Sequence, residues 1–240
     1  MKLEYLLDGE LTLDFLGRAI NDFQTKQLPR LIRLGNYYAG RQKIMKRQPT
    51  DPGKPNNQVM INYCNAIVNN YQGYLTGIPI NYSNEDFEDV IDIIKYNDPG
   101  AEDAEYLKNA LIYGRAFEIN YIDEEGKQRF KLFNTKECLP IYSNTLNKEL
   151  LYVVRFYKEN LIDKDSYVVE VYGPQSTTIY KSAPGFLSFN FVEERPHFFN
   201  QCPVTVFSLN EDEESIFEQI ITLQDVYNQM FSSGADDVQA

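Results

Sequence analysis

Apolar positions recur at three- and four-residue intervals through the first part of the chain, as expected of helices that bury one face. Leu11, Phe15, Leu16, Ala19, Ile20 and Phe23 form one series, and Pro29 stands where a second helix begins, continuing through Leu31, Ile32 and Leu34. Three prolines and a glycine in residues 48–55 predict a loop. A helix of ~30 Å is then predicted over residues 57–75. Its apolar face is Met60, Tyr63, Cys64, Ile67, Tyr71 and Tyr74, with Gly77 and Pro79 as the stop. Ser83 and Asn84 are placed to cap a helix carrying Phe87, Val90, Ile91 and Ile94. Asp98 and Pro99 read as an N-cap and first-turn proline, opening a helix through Leu107 and Leu111 that Gly114 closes.

After Gly114 the period drops to two. Phe117, Ile119 and Tyr121 alternate with Glu118 and Asn120, Asp123-Glu124-Glu125-Gly126 makes a turn, and a strand returns through Phe130 and Leu132. Further short, aromatic runs at residues 150–157, 167–172, 177–181, 186–192 and 204–209 extend this into an antiparallel meander over residues 115–209. The chain ends helically. Ile216, Ile220, Leu223, Tyr227 and Met230 form a stripe, and Glu211-Asp212-Glu213-Glu214 precede it, where the helix dipole favours negative charge. Beyond Ser232-Ser233-Gly234 no further element is predicted. The fold class is therefore α+β: N-terminal helices, an antiparallel β-rich meander and a C-terminal helix.

Composition narrows the picture. With 43% apolar and 24% charged residues over 240 positions, the chain is globular rather than disordered. Eighteen Tyr and fifteen Phe with no Trp suit sheets and wet interfaces, because a tyrosine buries its ring and still hydrogen-bonds. The net charge of −12 argues against a surface that grips nucleic-acid phosphates broadly. The charge is uneven, however: residues 1–60 carry ten basic and six acidic groups, and the last sixty carry two and ten. Eight basic residues stand within 26–54, among them Arg30, Arg33, Arg41, Lys43, Lys46 and Arg47, against Asp51 alone. Cys64, Cys138 and Cys202 are widely spaced and odd in number, which argues for a reducing compartment. Asp8, Glu10 and Asp14 break any signal-peptide run. Residues 55–84 carry no charge, but eight of the thirty are Asn, which excludes a membrane span and points to a soluble intracellular protein.

The search for reaction chemistry finds little. His197 is the sole histidine, so any nucleophile–histidine arrangement passes through it, yet Arg195-Pro196-His197-Phe198-Phe199 has neither a nucleophile elbow nor ligand spacing. No cysteine pair has zinc spacing. Gly53-Lys54 is followed by Pro55 rather than Ser or Thr, which breaks a phosphate loop, and Gly73 and Gly77 read as a close helix contact and a C-cap. Asp123–Gly126 lacks the alternating oxygen ligands of a calcium loop. Carboxylates are too plentiful for any pair to stand out. No catalytic residue, metal or cofactor is expected.

Two features ask for an explanation. Asn62, Asn65 and Asn69 follow helical spacing in the uncharged segment; Asn is a poor helix former, so such a face is either solvated or packed against a subunit or helix. Asn62, Tyr63, Asn65 and Asn69 are thus a candidate interface. The basic stripe, Arg30, Arg33, Arg41, Lys43, Lys46 and Arg47, is either a solvated face or a contact for nucleic acid or an acidic partner.

Three blocks of sequence carry a family resemblance. Tyr37-Tyr38-Ala39-Gly40 is followed by Pro55-Asn56-Asn57, Asn62-Tyr63, Ile67-Val68 and Gly73-Tyr74-Leu75-Thr76-Gly77-Ile78-Pro79. Tyr113-Gly114-Arg115-Ala116-Phe117-Glu118 leads to Tyr121 and the Asp123–Gly126 turn, and Pro203-Val204 leads to Leu223-Gln224-Asp225-Val226-Tyr227-Asn228. In this order the blocks resemble, from about residue 30 onward, the portal proteins of tailed bacteriophages, in the family typical of long-tailed phages of Gram-positive hosts. The resemblance implies a non-enzymatic homo-oligomer, a dodecameric ring at a capsid vertex, with double-stranded DNA passing through its channel. It implies docking of the terminase large subunit, head-completion or adaptor proteins, and major capsid and scaffold proteins. The protein would reside in the virion, and in the host cytoplasm during assembly. By the same analogy residues 1–114 are the helical part of the wing, 115–210 its β-rich part and 211–240 the approach to the stem, in a fragment that lacks the remaining stem, clip, tunnel loop and crown. A non-channel adaptor and a metal-dependent acid–base hydrolase are the competing readings.

Overall fold

A computed structural model describes residues 4–49, 51, 53–78, 80–81, 87–159 and 166–239. It opens with a short strand β1 (Tyr5–Leu7), followed by α1 (Leu13–Asp22), whose N-cap Thr12 accepts a bond from the Phe15 amide. A π-helical turn, Phe23–Gln27, passes directly into α2 (Leu28–Tyr38), with Pro29 in the first turn as its spacing requires. A 3₁₀ turn at Lys43–Lys46 leads into an extended stretch and then α3 (Tyr63–Thr76). Helix α4 (Glu88–Tyr96) follows; the expected caps Ser83 and Asn84 lie outside the described residues. Helix α5 (Pro99–Tyr113) ends at Gly114, which sits in the left-handed region at φ +82°. Asp98 stands at its N-terminus, but at φ +51° and without the side-chain capping bond the sequence suggested.

The strands form two sheets rather than one meander. Strands β4 (Cys138–Ser143), β5 (Leu150–Lys158), β6 (Tyr167–Tyr172), β7 (Ser176–Ser182) and β8 (Asn190–Pro196) run antiparallel in chain order. The N-terminal β1 joins them parallel to β4, Tyr5 opposite Ile141. The hairpin β2 (Arg115–Ile122) and β3 (Gln128–Phe133) instead pairs with β9 (Val204–Ser208), which returns antiparallel to β2. The strand expected at residues 186–192 starts four residues later. Phe186 is held at φ +50° and buried beside Phe156 and Tyr167, so it plugs the core instead of entering a ladder. Strand β4 escapes the pattern because Pro140 interrupts its run; pairing with β1 begins only at Ile141, beyond the proline.

Alternation along β5 joins the layers. Val154 and Phe156 face one way, into a core shared with Phe23, Leu31 and Leu34 of the helical layer and with Val169. Val153 faces the other way, among Phe117, Phe133, Cys138, Tyr172 and Val204 between the sheets. Arg115 is buried where the layers meet, ion-paired to Glu213 at 2.8 Å and set over the Phe117 ring. Gly114 makes this possible: a Cβ there would collide with the Glu213 carbonyl. The last helix, α6 (Ile221–Gln239), follows a 3₁₀ turn at Glu218–Ile220 and runs on through Gly234, past the end the sequence suggested. The acidic run at residues 211–214 therefore precedes the helix by several residues, and Glu213 serves Arg115 rather than the helix dipole.

Candidate functional site

The first six residues of the predicted third helix are not helical, and α6 explains why. Residues 57–62 pass beside it without helical structure before Tyr63 opens α3, and from Asn57 to Tyr63 every second backbone amide donates to a polar side chain one helical turn further back along α6. The Asn57 amide donates to Asp236 at 2.7 Å, Val59 to Ser232 at 2.9 Å, Ile61 to Asn228 at 3.1 Å and Tyr63 to Gln224 at 3.2 Å. Two extended residues advance ~6.6 Å and four helical residues ~6 Å, so the two periods stay in step over three repeats. Gln224 also donates to the Ile61 carbonyl at 2.7 Å, and Ser232 bonds the Val59 carbonyl as well. Side chains thus take the place of a neighbouring strand, and the amides that would otherwise be buried unpaired are satisfied.

Gln42 ties this ladder to the asparagine helix. It accepts from Asn228 at 2.6 Å and donates to Asn62 at 3.1 Å. Asn62 is the N-cap of α3, accepting from the Asn65 amide, and donates to the Tyr38 carbonyl at 2.9 Å. Asn65 reaches the same carbonyl, Asn69 donates to Asn65, and the Tyr38 hydroxyl donates to Asn69. Within the described chain these three asparagines therefore face α2. Of the apolar face expected on α3, Cys64 is buried, beside Val68, while Tyr63, Tyr71 and Tyr74 are exposed. Tyr63 meets Tyr227 edge-on, and Tyr227 lies against Phe231 with the rings tilted by 48°.

Helix α6 is likewise inverted relative to its sequence pattern. Gln224, Asn228 and Ser232 are buried, whereas Leu223 and Met230 from the expected stripe are each 67% exposed, with Val226 and Phe231 exposed beside them. The polar side is inside because it feeds the ladder; the apolar side is left facing out.

The basic stripe divides in two. Arg30 forms a two-pronged pair with Glu218 and donates to the Glu213 carbonyl at 2.8 Å, and Arg33 lies 3.6 Å from the same Glu218. Burial raises the Glu218 carboxyl, but the Arg30 bonds and charge outweigh it and hold the group below its usual range. Arg47 pairs with Asp236 at 2.7 Å and donates to the Asn57 carbonyl. The bonds from Asn57, opposed by desolvation and aided by Arg47, keep Asp236 below the ordinary carboxylate range. Arg41, Lys43 and Lys46 are exposed, and none has an ion pair among the described residues. Lys43 and Lys46 flank a groove of about 620 Å³ floored by Ile44, Val226 and Met230.

Little of the rest is suited to chemistry. Burial pushes the Cys64 and Cys202 thiols up to about 11 and raises Cys138 further, the opposite of an activated nucleophile. His197 is tied to the Gly173 carbonyl at 3.0 Å, a loop brace. Among the described residues no cluster of His, Cys, Asp and Glu has metal-site geometry, and no helix is long and apolar enough to cross a membrane.

The α+β body thus has an apolar core between its helical layer and its sheets, and two helices, α3 and α6, that bury polar side chains while leaving Tyr71, Tyr74, Leu223, Val226 and Met230 exposed. Residues 18–240 match the family model of the phage portal proteins, SPP1 Gp6-like, and the chain belongs to that family. It is 22% identical over 205 residues to the portal protein of Bacillus phage SPP1, covering 79% of this chain and 41% of that protein. It is 25% identical to the portal protein of Clostridium phage phiCD119, covering 92% of this chain and 55% of that one. The chain thus spans about half the length of these curated relatives.

Proposed function

We propose that the chain is the wing-forming part of a structural portal subunit. Residues 1–114 and 115–210 supply the two parts of the wing and 211–240 lead toward the stem. In this reading copies assemble into a ring at a capsid vertex, double-stranded DNA is packaged and ejected through its channel, and terminase and head-completion proteins dock on it. The family match over residues 18–240 carries the reading. The charge of −12 agrees with it, because each phosphate contact would hold DNA and retard its sliding. Acidic surfaces then border the channel, and the unpaired cations Arg41, Lys43 and Lys46 face protein rather than duplex. Negative-stain imaging of the protein made from the complete reading frame tests this. Rings with an axial hole are expected; a product that stays monomeric at high concentration would refute the portal role. A channel lined by Lys43 and its neighbours would refute the assignment of surfaces alone.

A further inference from the structure

The groove beside α6 and the helix α4 have complementary chemistry and lie on different parts of the chain. The groove is lined by the apolar Ile44, Val226 and Met230 and by two lysines without ion pairs among the described residues, with Arg41 exposed nearby; its one carboxylate, Asp225, accepts from the Tyr37 hydroxyl at 2.7 Å, and Arg47 is engaged by Asp236. Helix α4 offers the converse. Its first turn carries Glu88 and Asp89, with Asp92 a turn further on; all three are exposed, and none of its residues is buried. Phe87 is 56% and Val90 48% exposed, so an apolar edge runs beside the acidic one. The end of α4 is anchored to the hairpin by Asn97, which accepts from the Phe130 amide and donates to the Gln128 carbonyl. The groove instead is fixed by Arg47, which lines it and bonds Asp236 of α6 and the Asn57 carbonyl.

We propose that the groove between the Lys43–Lys46 turn and α6 receives helix α4 of a second copy of this chain. An amphipathic helix laid in an apolar groove with opposite charges at the rim is a recurring docking mode. The floor argues against DNA as the occupant, because nucleic acid would leave Val226 and Met230 facing phosphates and water. Donor and acceptor surfaces differ, so the contact is heterologous and propagates head to tail until it closes. The inference rests on the portal reading only for that closure into a ring.

Charge reversal tests it, using the protein from the complete reading frame, with association read by sedimentation velocity and native mass spectrometry. Lys43→Glu/Lys46→Glu and, separately, Asp89→Lys/Asp92→Lys should each raise the dissociation constant for self-association about a hundredfold, because like charges then meet at the rim. Combining all four substitutions in one chain should restore association to within about tenfold of the parent. Circular dichroism and melting of every variant must match the parent, which separates lost docking from lost folding. Unchanged association in either double variant, or no recovery in the combined one, overturns the proposal. Weakened retention of a fluorescein-labelled DNA duplex by the lysine variant, with assembly intact, overturns it in favour of a nucleic-acid surface. Rings that persist in both double variants refute this contact and leave the portal role standing. Charge-dependent oligomers without rings refute the portal role and leave this contact standing.

Discussion

Replacing Asn228 by Leu tests the inverted helix directly. The side chain is 1% exposed and makes three bonds: it accepts from the Ile61 amide and from Gln224, and it donates to Gln42. Leucine keeps the branched shape of asparagine but forms none of these bonds, and its bulkier methyl groups add to the cost rather than offset it. Gln224 keeps its bond to the Ile61 carbonyl, but the Ile61 amide and the side-chain amide oxygen of Gln42, Oε1, lose their partner in a largely buried site. At about 1–3 kcal/mol for each such group the cost is roughly 2–6 kcal/mol. Its middle value, about 4 kcal/mol, lowers the melting midpoint by roughly 8–16 °C for a chain of this size. Urea titration followed by circular dichroism measures the loss, and hydrogen exchange at the Ile61 amide locates it. Leu223→Ser on the same helix, at a position 67% exposed, should change stability by no more than about 0.5 kcal/mol. The reverse pattern, with Asn228→Leu neutral and Leu223→Ser costly, would show that α6 buries its apolar stripe and would refute the ladder.

Gly114→Ala should cost roughly 3 kcal/mol, because it strains a position at φ +82° and drives a methyl group into the Glu213 carbonyl, disturbing the Arg115 pair; chemical denaturation would show it. Glu118 is raised above its ordinary 4.5 by burial first and then by Asp103 and Glu102, so folding favours its protonated form. The parent should therefore gain stability as pH falls through the raised value toward 4.5, whereas Glu118→Gln should be more stable at neutral pH and lose that gain in a pH series of melts. Glu218 has the opposite sign: its contribution is fully present above 4.5 and is lost as pH falls through the lowered value. Arg30→Met should flatten that acid limb and cost about 1–3 kcal/mol at neutral pH, since it leaves a largely buried carboxylate with only the long Ser215 amide bond and the distant Arg33; an unchanged acid limb would show that the pair does not set it.

Periodicity located α1, α2, α5 and the β2–β3 hairpin because local contacts decide them: caps, the Pro29 first turn, Gly114 and the Asp123–Gly126 turn all act within a few residues. The division into two sheets was not legible. It depends on β9 returning to β2 across some ninety residues, and on a three-residue β1 too short to show alternation. The faces of α3 and α6 were misread for a shared reason. A polar side chain marks a solvent face only when water is its best partner. Gln224, Asn228 and Ser232 have backbone amides instead, and the apolar residues between them are turned outward as a consequence. The spacing of four polar residues at 224, 228, 232 and 236 was visible in the sequence and was the available signal. Of the candidate residues, the sequence singled out Asn62, Asn65 and Asn69 as polar groups in need of explanation, and within the chain their side chains bond to Tyr38 and to one another. It had no means of separating Arg30 and Arg47, engaged within the chain, from Lys43 and Lys46, which are not.

The ladder also sets an order of events during synthesis. Asn57 and its partner Asp236 are 179 residues apart. At bacterial translation speeds of about 5–20 residues per second, roughly ten to forty seconds separate their emergence from the ribosome. Throughout that interval residues 57–63 are a charge-free extended stretch with open amides, able to pair with any passing strand edge. The nascent chain therefore carries an aggregation hazard at residues 57–63 that is relieved only when α6 appears, which makes this a segment a chaperone would serve by covering.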